Sequence, residues 1–250
     1  MPFITGDNHG KFNYIIDFLN WAADDRGETL IILGDVGLNY ILNHSDQDLK
    51  RHINRRLGKH KLFCIRGNHE ARPENICTYQ TMEYWGGKVY FEPEFPNLLF
   101  AIDGQIYHIP INYEKTITTL VAGGAYSPDK HYRLVNKLRW FADEELTSQE
   151  WEGIFNNPQL KSVEMILSHT CPIDYTPYEA LDPRYNQTSI DKTTEHNLQK
   201  LYNIIKPTIG FCGHFHIQKK HDNLIFMDTG FLDLETEWDK MNGGLVWKQF

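Results

Sequence analysis

Five short apolar runs punctuate the chain, each closed by a glycine or serine and a cluster of polar residues. They are FITGDNHG (3–10), TLIILGDVG (29–37), KLFCIRGNHE (61–70), SVEMILSHTCP (162–172) and TIGFCGHFH (208–216). A run apolar on both faces that stops at a turn residue predicts a buried strand of the parallel kind. Between these runs the period changes to that of a helix. Phe12, Ile15, Ile16 and Leu19 share one helical face, as do Leu49, Ile53 and Leu57, the latter after a cap placed at Ser45. Thr147 and Glu150 have the spacing of a capping box ahead of Trp151, Ile154 and Phe155, and Asp191 is placed as the cap of a helix carrying Leu198, Leu201, Ile204 and Ile205. Strand alternating with helix predicts α/β architecture with right-handed crossovers.

The middle of the chain departs from that alternation. Residues 86–109 alternate apolar and polar positions and carry turn residues, which predicts antiparallel hairpins, and TLVAGGAY (119–126) reads as a further strand ending in glycines. The tail stretches NLIFMDTG (223–230) and GGLVWKQF (243–250) each predict a strand. Residues 173–190 form the longest stretch without periodicity and are expected to lie as a lid over a site. The segment 129–141 mixes bases with aromatics. It is read as an amphipathic element burying Leu134, Leu138 and Phe141 in preference to a surface that stacks bases.

Composition narrows the class. A length of 250 residues with 41% hydrophobic content suits a single domain over 1–250. The net charge of −8 argues against duplex nucleic acid as a partner. Cys64, Cys77, Cys171 and Cys212 form no CxxC pair, so they are expected as buried reduced thiols, not as a disulfide framework or a thiolate metal site. No secretory leader pattern and no apolar run of membrane-spanning length occur, so the expected setting is cytoplasmic with no membrane partner.

The polar residues that close the apolar runs carry the candidate chemistry. Ligands of open α/β sheets bind beyond the C-terminal ends of the strands. Here those ends supply Asp7 and His9; Asp35; Asn68 and His69; His169; and His214 and His216. One histidine at a strand end is ordinarily a hydrogen-bonded core or surface residue. Five ends that all supply metal-ligand types point to a metal centre. Oxygen and imidazole donors without thiolate suit Mn²⁺, Fe or Zn²⁺. Two such ions need a bridging carboxylate, for which Asp35 is the natural candidate; a pair of ions activates a shared water and clamps a phosphoryl group.

The ordered set Asp7-x-His9, Gly34-Asp35, Gly67-Asn68-His69-Glu70, Ser168-His169 and Gly213-His214-Phe215-His216 resembles the calcineurin-like metallophosphoesterases, and Arg66 with GNHE is similar to their protein serine/threonine phosphatase branch. The resemblance implies a four-layer sandwich of two central mixed sheets flanked by helices, with a binuclear centre at the C-terminal edge. It implies Asp7, His9, Asp35 and His216 on one ion and Asp35, Asn68, His169 and His214 on the other. Mn²⁺ is preferred over Fe, Zn²⁺ or Mg²⁺. His69 is implied as the group beside the leaving oxygen. The phosphatase branch continues its second motif as GDxxDRG, whereas this chain has Leu38 and Asn39 where that pattern has Asp and Arg. Arg72, Lys130, Arg133 and Arg184 are therefore candidates to grip phosphate, with Arg133 and Arg72 preferred.

The expected activity is hydrolysis of a phosphomonoester, of a phosphoprotein or a nucleotide, by direct attack of activated water with no phospho-enzyme. The alternatives are a phosphodiesterase or nuclease acting on small or single-stranded substrates and, from another class, a non-catalytic metal-containing binding platform.

Overall fold

The computed structural model describes residues 2–22, 27–185 and 187–242. β1 (Pro2–Thr5), α1 (Asn13–Ala22), β2 (Thr29–Ile32), α2 (His44–Leu57) and β3 (Lys61–Cys64) open the chain in strict alternation. β4 (Gln80–Tyr84), β5 (Gly87–Glu92), β6 (Phe95–Ala101), β7 (Ile106–Pro110) and β8 (Thr116–Ala122) follow as the antiparallel middle. Then come α3 (Lys130–Val135), α4 (Ser148–Phe155), β9 (Met165–Ser168), α5 (Thr193–Ile205) and β10 (Ile209–Cys212). β11 (Lys219–His221), β12 (Leu224–Phe226), β13 (Leu232–Asp233) and α6 (Leu234–Met241) complete the described residues.

Two mixed sheets result. The seven-stranded sheet runs β13-β1-β2-β3-β6-β5-β4 and the six-stranded sheet β11-β12-β10-β9-β8-β7. Parallel pairing joins β1, β2, β3 and β6 in the first and β12, β10, β9 and β8 in the second. Side chains alternate across each strand. Ile4, Ile31 and Phe63 therefore point inward to meet Val121, Met165, Leu167 and Phe211 of the other sheet. Their neighbours Phe3, Leu30, Ile32 and Leu62 point outward onto Ile15, Ile16, Leu19 and Ile53 of α1 and α2. On the far side, Ile166, Cys212 and Leu224 meet Trp151 of α4 and Leu198 and Leu201 of α5. Helix, sheet, sheet and helix are thus the four layers expected. Parallel strands buried on both faces explain why the sequence shows runs and not alternation.

Several local expectations shift. The cap of α2 is Asn43, whose Oδ1 accepts from Ser45 N at 2.8 Å, so Ser45 is already inside the helix. Lys192 holds the N-cap position of α5, although Asp191 Oδ1 accepts from Thr193 N at 2.7 Å and satisfies a donor at that end. The Thr147–Glu150 capping box is formed. Leu134 and Leu138, expected in the core, are exposed, and no residue of α3 is buried. Cys77 is exposed, against expectation; Cys64, Cys171 and Cys212 are buried, and all four thiols are free. β12 takes the place of the strand expected in 223–230, whereas the one expected in 243–250 lies outside the described residues. Among the described residues no helix is long and apolar enough to cross a membrane.

Candidate metal centre

Hydrogen bonds between loops draw the strand ends of the two sheets together. His169, after β9, donates through Nδ1 to Leu33 O at 2.7 Å, so one imidazole of the second sheet is pinned to the loop after β2. Two glycines permit this closeness. A Cβ on Gly34 would lie 2.1 Å from His169 Nδ1, and the φ of +101° there also favours glycine. A Cβ on Gly67 would lie 2.1 Å from Asp35 Oδ1. Glu70, in the motif after β3, accepts from Gly67 N at 3.0 Å and from Val36 N at 3.3 Å, tying the loops after β2 and β3. Its Oε2 is buried without a partner, and burial lifts this carboxyl to about 8.

Around this frame the candidate donors converge. His9 Nε2 and His216 Nε2 lie 3.9 and 3.7 Å from Asp7 Oδ2, and His9 Nδ1 lies 4.0 Å from Asp35 Oδ2. His169 lies 3.8 Å from Asp7 Oδ1 through Nδ1 and 3.6 Å from Asp35 Oδ1 through Nε2. Asn68 Oδ1 is 2.9 Å from His169 Nε2. The ring of His214 sits 5.0 Å from that of His169, and its backbone N–H donates to Asp7 Oδ1 at 2.9 Å. His9, Asp35, His214 and His216 all have positive φ, between 44° and 68°. Four residues in a region that side chains seldom occupy, gathered at one spot, mark strain retained to aim these groups inward.

The electrostatics describe a site lacking positive charge. Burial, with Asp35 adding to it, raises the Asp7 carboxyl well above the usual range, and Asp7 Oδ2 is buried with no hydrogen-bond partner. Burial also works against ionising Asp35, but His169, His69 and His9, together with the His69 N–H, hold it well below the ordinary value. Burial pushes His9 down to about 4 against the pull of Asp35, and lowers His169 and His214 likewise. A neutral His169 that donates from Nδ1 presents a lone pair at Nε2. That lone pair faces two further acceptors, Asn68 Oδ1 at 2.9 Å and Asp35 Oδ1 at 3.6 Å, the latter also taking the His69 N–H at 2.8 Å. A cation among them would relieve this crowding of acceptors. Donor atoms at these separations suit ligands of one ion, each roughly 2.0–2.2 Å from it. Asp7, His9 and His216 form one group of mutually close donors, and Asp7, Asp35 and His169 a second. The donors are oxygen and imidazole nitrogen, a set that fits hard or borderline divalent ions.

The family model described as calcineurin-like phosphoesterase matches residues 3–218, which include every one of these donors. The chain belongs to the calcineurin-like phosphoesterases. This phosphoesterase is accordingly a metal-dependent phosphoester hydrolase. Among solved structures, one is 15% identical, with a TM-score of 0.51, covering 93% of this chain and 94% of that one. TT1561 of Thermus thermophilus is 14% identical over 93% of each chain, with a TM-score of 0.49. The phosphopantetheinyl hydrolase PptH of Mycobacterium tuberculosis is 13% identical over 96% of this chain and 91% of its own, with a TM-score of 0.44. The first of these likenesses speaks to the fold alone. No curated protein matches the chain.

Beside the donors, the phosphoesterase places His69 with its Nε2 3.9 Å from Asp35 Oδ2, and its backbone N–H donates to Asp35 Oδ1 at 2.8 Å. Arg133 Nη2 lies 3.2 Å from His69 Nε2, while Arg133 Nε donates to Asp129 Oδ2 at 2.7 Å. The other three basic candidates point elsewhere. Arg72 is buried and donates to Asp143 O, Glu145 O and Glu150 Oε1, at 2.8, 2.7 and 2.5 Å, so its guanidinium holds the 143–150 segment in place. Lys130 lies over the Trp140 ring, 4.1 Å from its centroid. Arg184 is exposed and paired with Asp182. Leu38 is fully buried in the core, and Asn39 Oδ1 accepts from Tyr79 OH at 3.1 Å, so neither substitutes for the absent Asp and Arg.

Sequence reasoning passed over Ser127 and Glu144. Asn68 Nδ2 donates to Ser127 Oγ at 2.8 Å, and Ser127 Oγ donates to Glu144 Oε2 at 2.5 Å. The signal available was the polar residue just beyond the GGAY strand end. Arg66 closes the same corner. It donates to Asp103 Oδ2 at 3.1 Å and to Glu144 O at 2.7 Å.

Proposed function

We propose that the chain hydrolyses phosphate esters at two divalent ions. Asp7, His9, Asp35 and His216 would hold one ion, and Asp35, Asn68, His169 and His214 the other, with Mn²⁺ preferred. The observation that carries this reading is the gathering of Asp7, His9 and His216, and of Asp7, Asp35 and His169, into two groups of mutually close donors, with Asp7 Oδ2 buried and without a hydrogen-bond partner. Two ions, when bound, lower the pKa of a shared water toward neutrality and offset charge on the phosphoryl oxygens.

The side chains supply the rest. Arg133, anchored by Asp129, offers a guanidinium to the phosphoryl oxygens. His69 stands beside the leaving oxygen. Burial lowers its pKa, with Arg133 adding to that and Asp35 opposing it. An arriving phosphate anion raises it again, so the imidazole gains a proton as substrate binds and can pass it to the departing alkoxide. The buried thiols take no part as nucleophiles, since burial raises both Cys171 and Cys212 well above the usual thiol range. The net charge of −8 favours a small phosphorylated partner over duplex nucleic acid.

The test is a panel of aryl esters, nucleotides, phosphopeptides and short single strands offered to Mn²⁺-loaded protein, with Asp35→Asn as control. Hydrolysis by the wild type and none by the variant is expected. A wild type that binds metal and ester but turns over no member of the panel would make the chain a binding platform.

A further inference from the structure

The metal centre is flanked by two cavities, and Asp35, His69 and His216 line both. The first, of about 310 Å³, is walled by Tyr126, Leu181, Tyr185, Ile190 and Phe215. Three of those residues come from the aperiodic stretch 173–190, which forms one wall over the site. The second, of about 510 Å³, is walled by Tyr40, Ile41, Leu49 and Arg133. In place of the phosphomonoester expected from sequence, we infer that the substrate is a phosphodiester, one organic group occupying each cavity with the phosphorus at the shared edge. This inference rests on the phosphoesterase reading above.

The argument is steric and electrostatic. A monoester carries one organic group and needs one cavity. In-line displacement sends the leaving oxygen away from the attacking water, while the retained substituents stay around phosphorus. A diester therefore presents two groups that diverge from the reacting centre, as the two cavities do. Aromatic and aliphatic walls with a few polar groups are the ordinary lining of a site for an organic ligand. The charged groups of both cavities are largely paired: in the first, Asp129 binds Arg133 and Asp182 binds Arg184, and in the second, Asp46 accepts from the Ile41 and Leu42 N–H groups. An uncharged aromatic or apolar group fits the first, where it can stack on Tyr126 and Phe215.

The experiment compares p-nitrophenyl phosphate with bis(p-nitrophenyl) phosphate on the Mn²⁺-loaded chain. It is repeated with Leu181→Trp, which fills the first cavity, and Ile41→Trp, which narrows the second from a partly exposed wall. Circular dichroism establishes that each variant is folded. Wild-type kcat/KM for the diester is expected to exceed that for the monoester by about tenfold or more, and the ratio to fall about tenfold in either folded variant. A wild type that prefers the monoester, or a ratio unmoved in both variants, overturns the diester assignment and leaves the phosphoesterase reading standing. Hydrolysis of neither ester overturns the diester assignment, and the phosphoesterase reading falls with it only when nucleotides, phosphopeptides and single strands are also left intact.

Discussion

Asn68 Nδ2 donates to Ser127 Oγ at 2.8 Å. Ser127 gives its single hydroxyl proton to the Glu144 carboxylate, so toward Asn68 it can only accept. The amide of Asn68 is thereby fixed with its nitrogen on Ser127 and its Oδ1 toward His169. Ser127→Ala frees the amide to rotate, and divalent-ion affinity is expected to fall by roughly 10- to 100-fold, the usual cost of losing such a supporting partner. Ser127→Thr keeps the hydroxyl and should restore binding. Titration calorimetry with Mn²⁺ measures both.

His69 is expected to act on the substrate and not on the metals. His69→Ala should retain its ions while hydrolysis drops by roughly 10²- to 10⁴-fold. Metal content and steady-state rate, measured on the same preparation, separate the two roles. Loss of ions would make His69 a ligand, and an undiminished rate would remove it from the reaction.

Arg72 and Arg133 should behave oppositely. Arg72→Ala leaves two backbone carbonyls and Glu150 without their donor. That should destabilise the fold by roughly 1–3 kcal/mol with no change in KM. Arg133→Ala should raise KM with little effect on thermal stability. Denaturant melts and Michaelis kinetics on the two variants decide the matter.

Glu195 should make stability depend on pH. Its side chain is buried, Oε1 accepts from Thr170 Oγ1 at 3.1 Å, and Oε2 has no partner. Burial raises its pKa above the ordinary value. A raised folded-state pKa gives a contribution fully present below the unfolded value of about 4.3 and lost as pH rises through the folded value. Glu195→Gln, which cannot ionise, should therefore melt higher than the wild type at pH 8, with the gap closing as pH falls toward 4. A gap that widens on acidification would contradict this reading.

The frame was legible because parallel strands announce themselves. The runs ending at Asp7, Asp35, Asn68, His169 and His214 became β1, β2, β3, β9 and β10, and the polar residues after them lie at one sheet edge. What escaped sequence reasoning depends on contacts distant in the chain. Arg72 stands two residues after the GNHE motif, yet carbonyls more than 70 residues further on determine where its guanidinium goes. Ser127 and Glu144 acquire meaning only when the loop after β8 meets the loop after β3. Leu134 and Leu138 have the spacing of a buried face, but α3 has no layer above it. The cap of α2 fell on Asn43 and not Ser45 because an Asx turn, invisible to helical periodicity, satisfies the Ser45 N–H.

The central claim is that the buried acceptors around Asp35 hold two divalent ions. Elemental analysis of protein purified without chelator, run beside Asp35→Asn, tests it most directly. About two transition ions per wild-type chain and a marked loss in the variant are predicted. A wild type that turns over phosphate esters while carrying none, or a variant that keeps both, would contradict it.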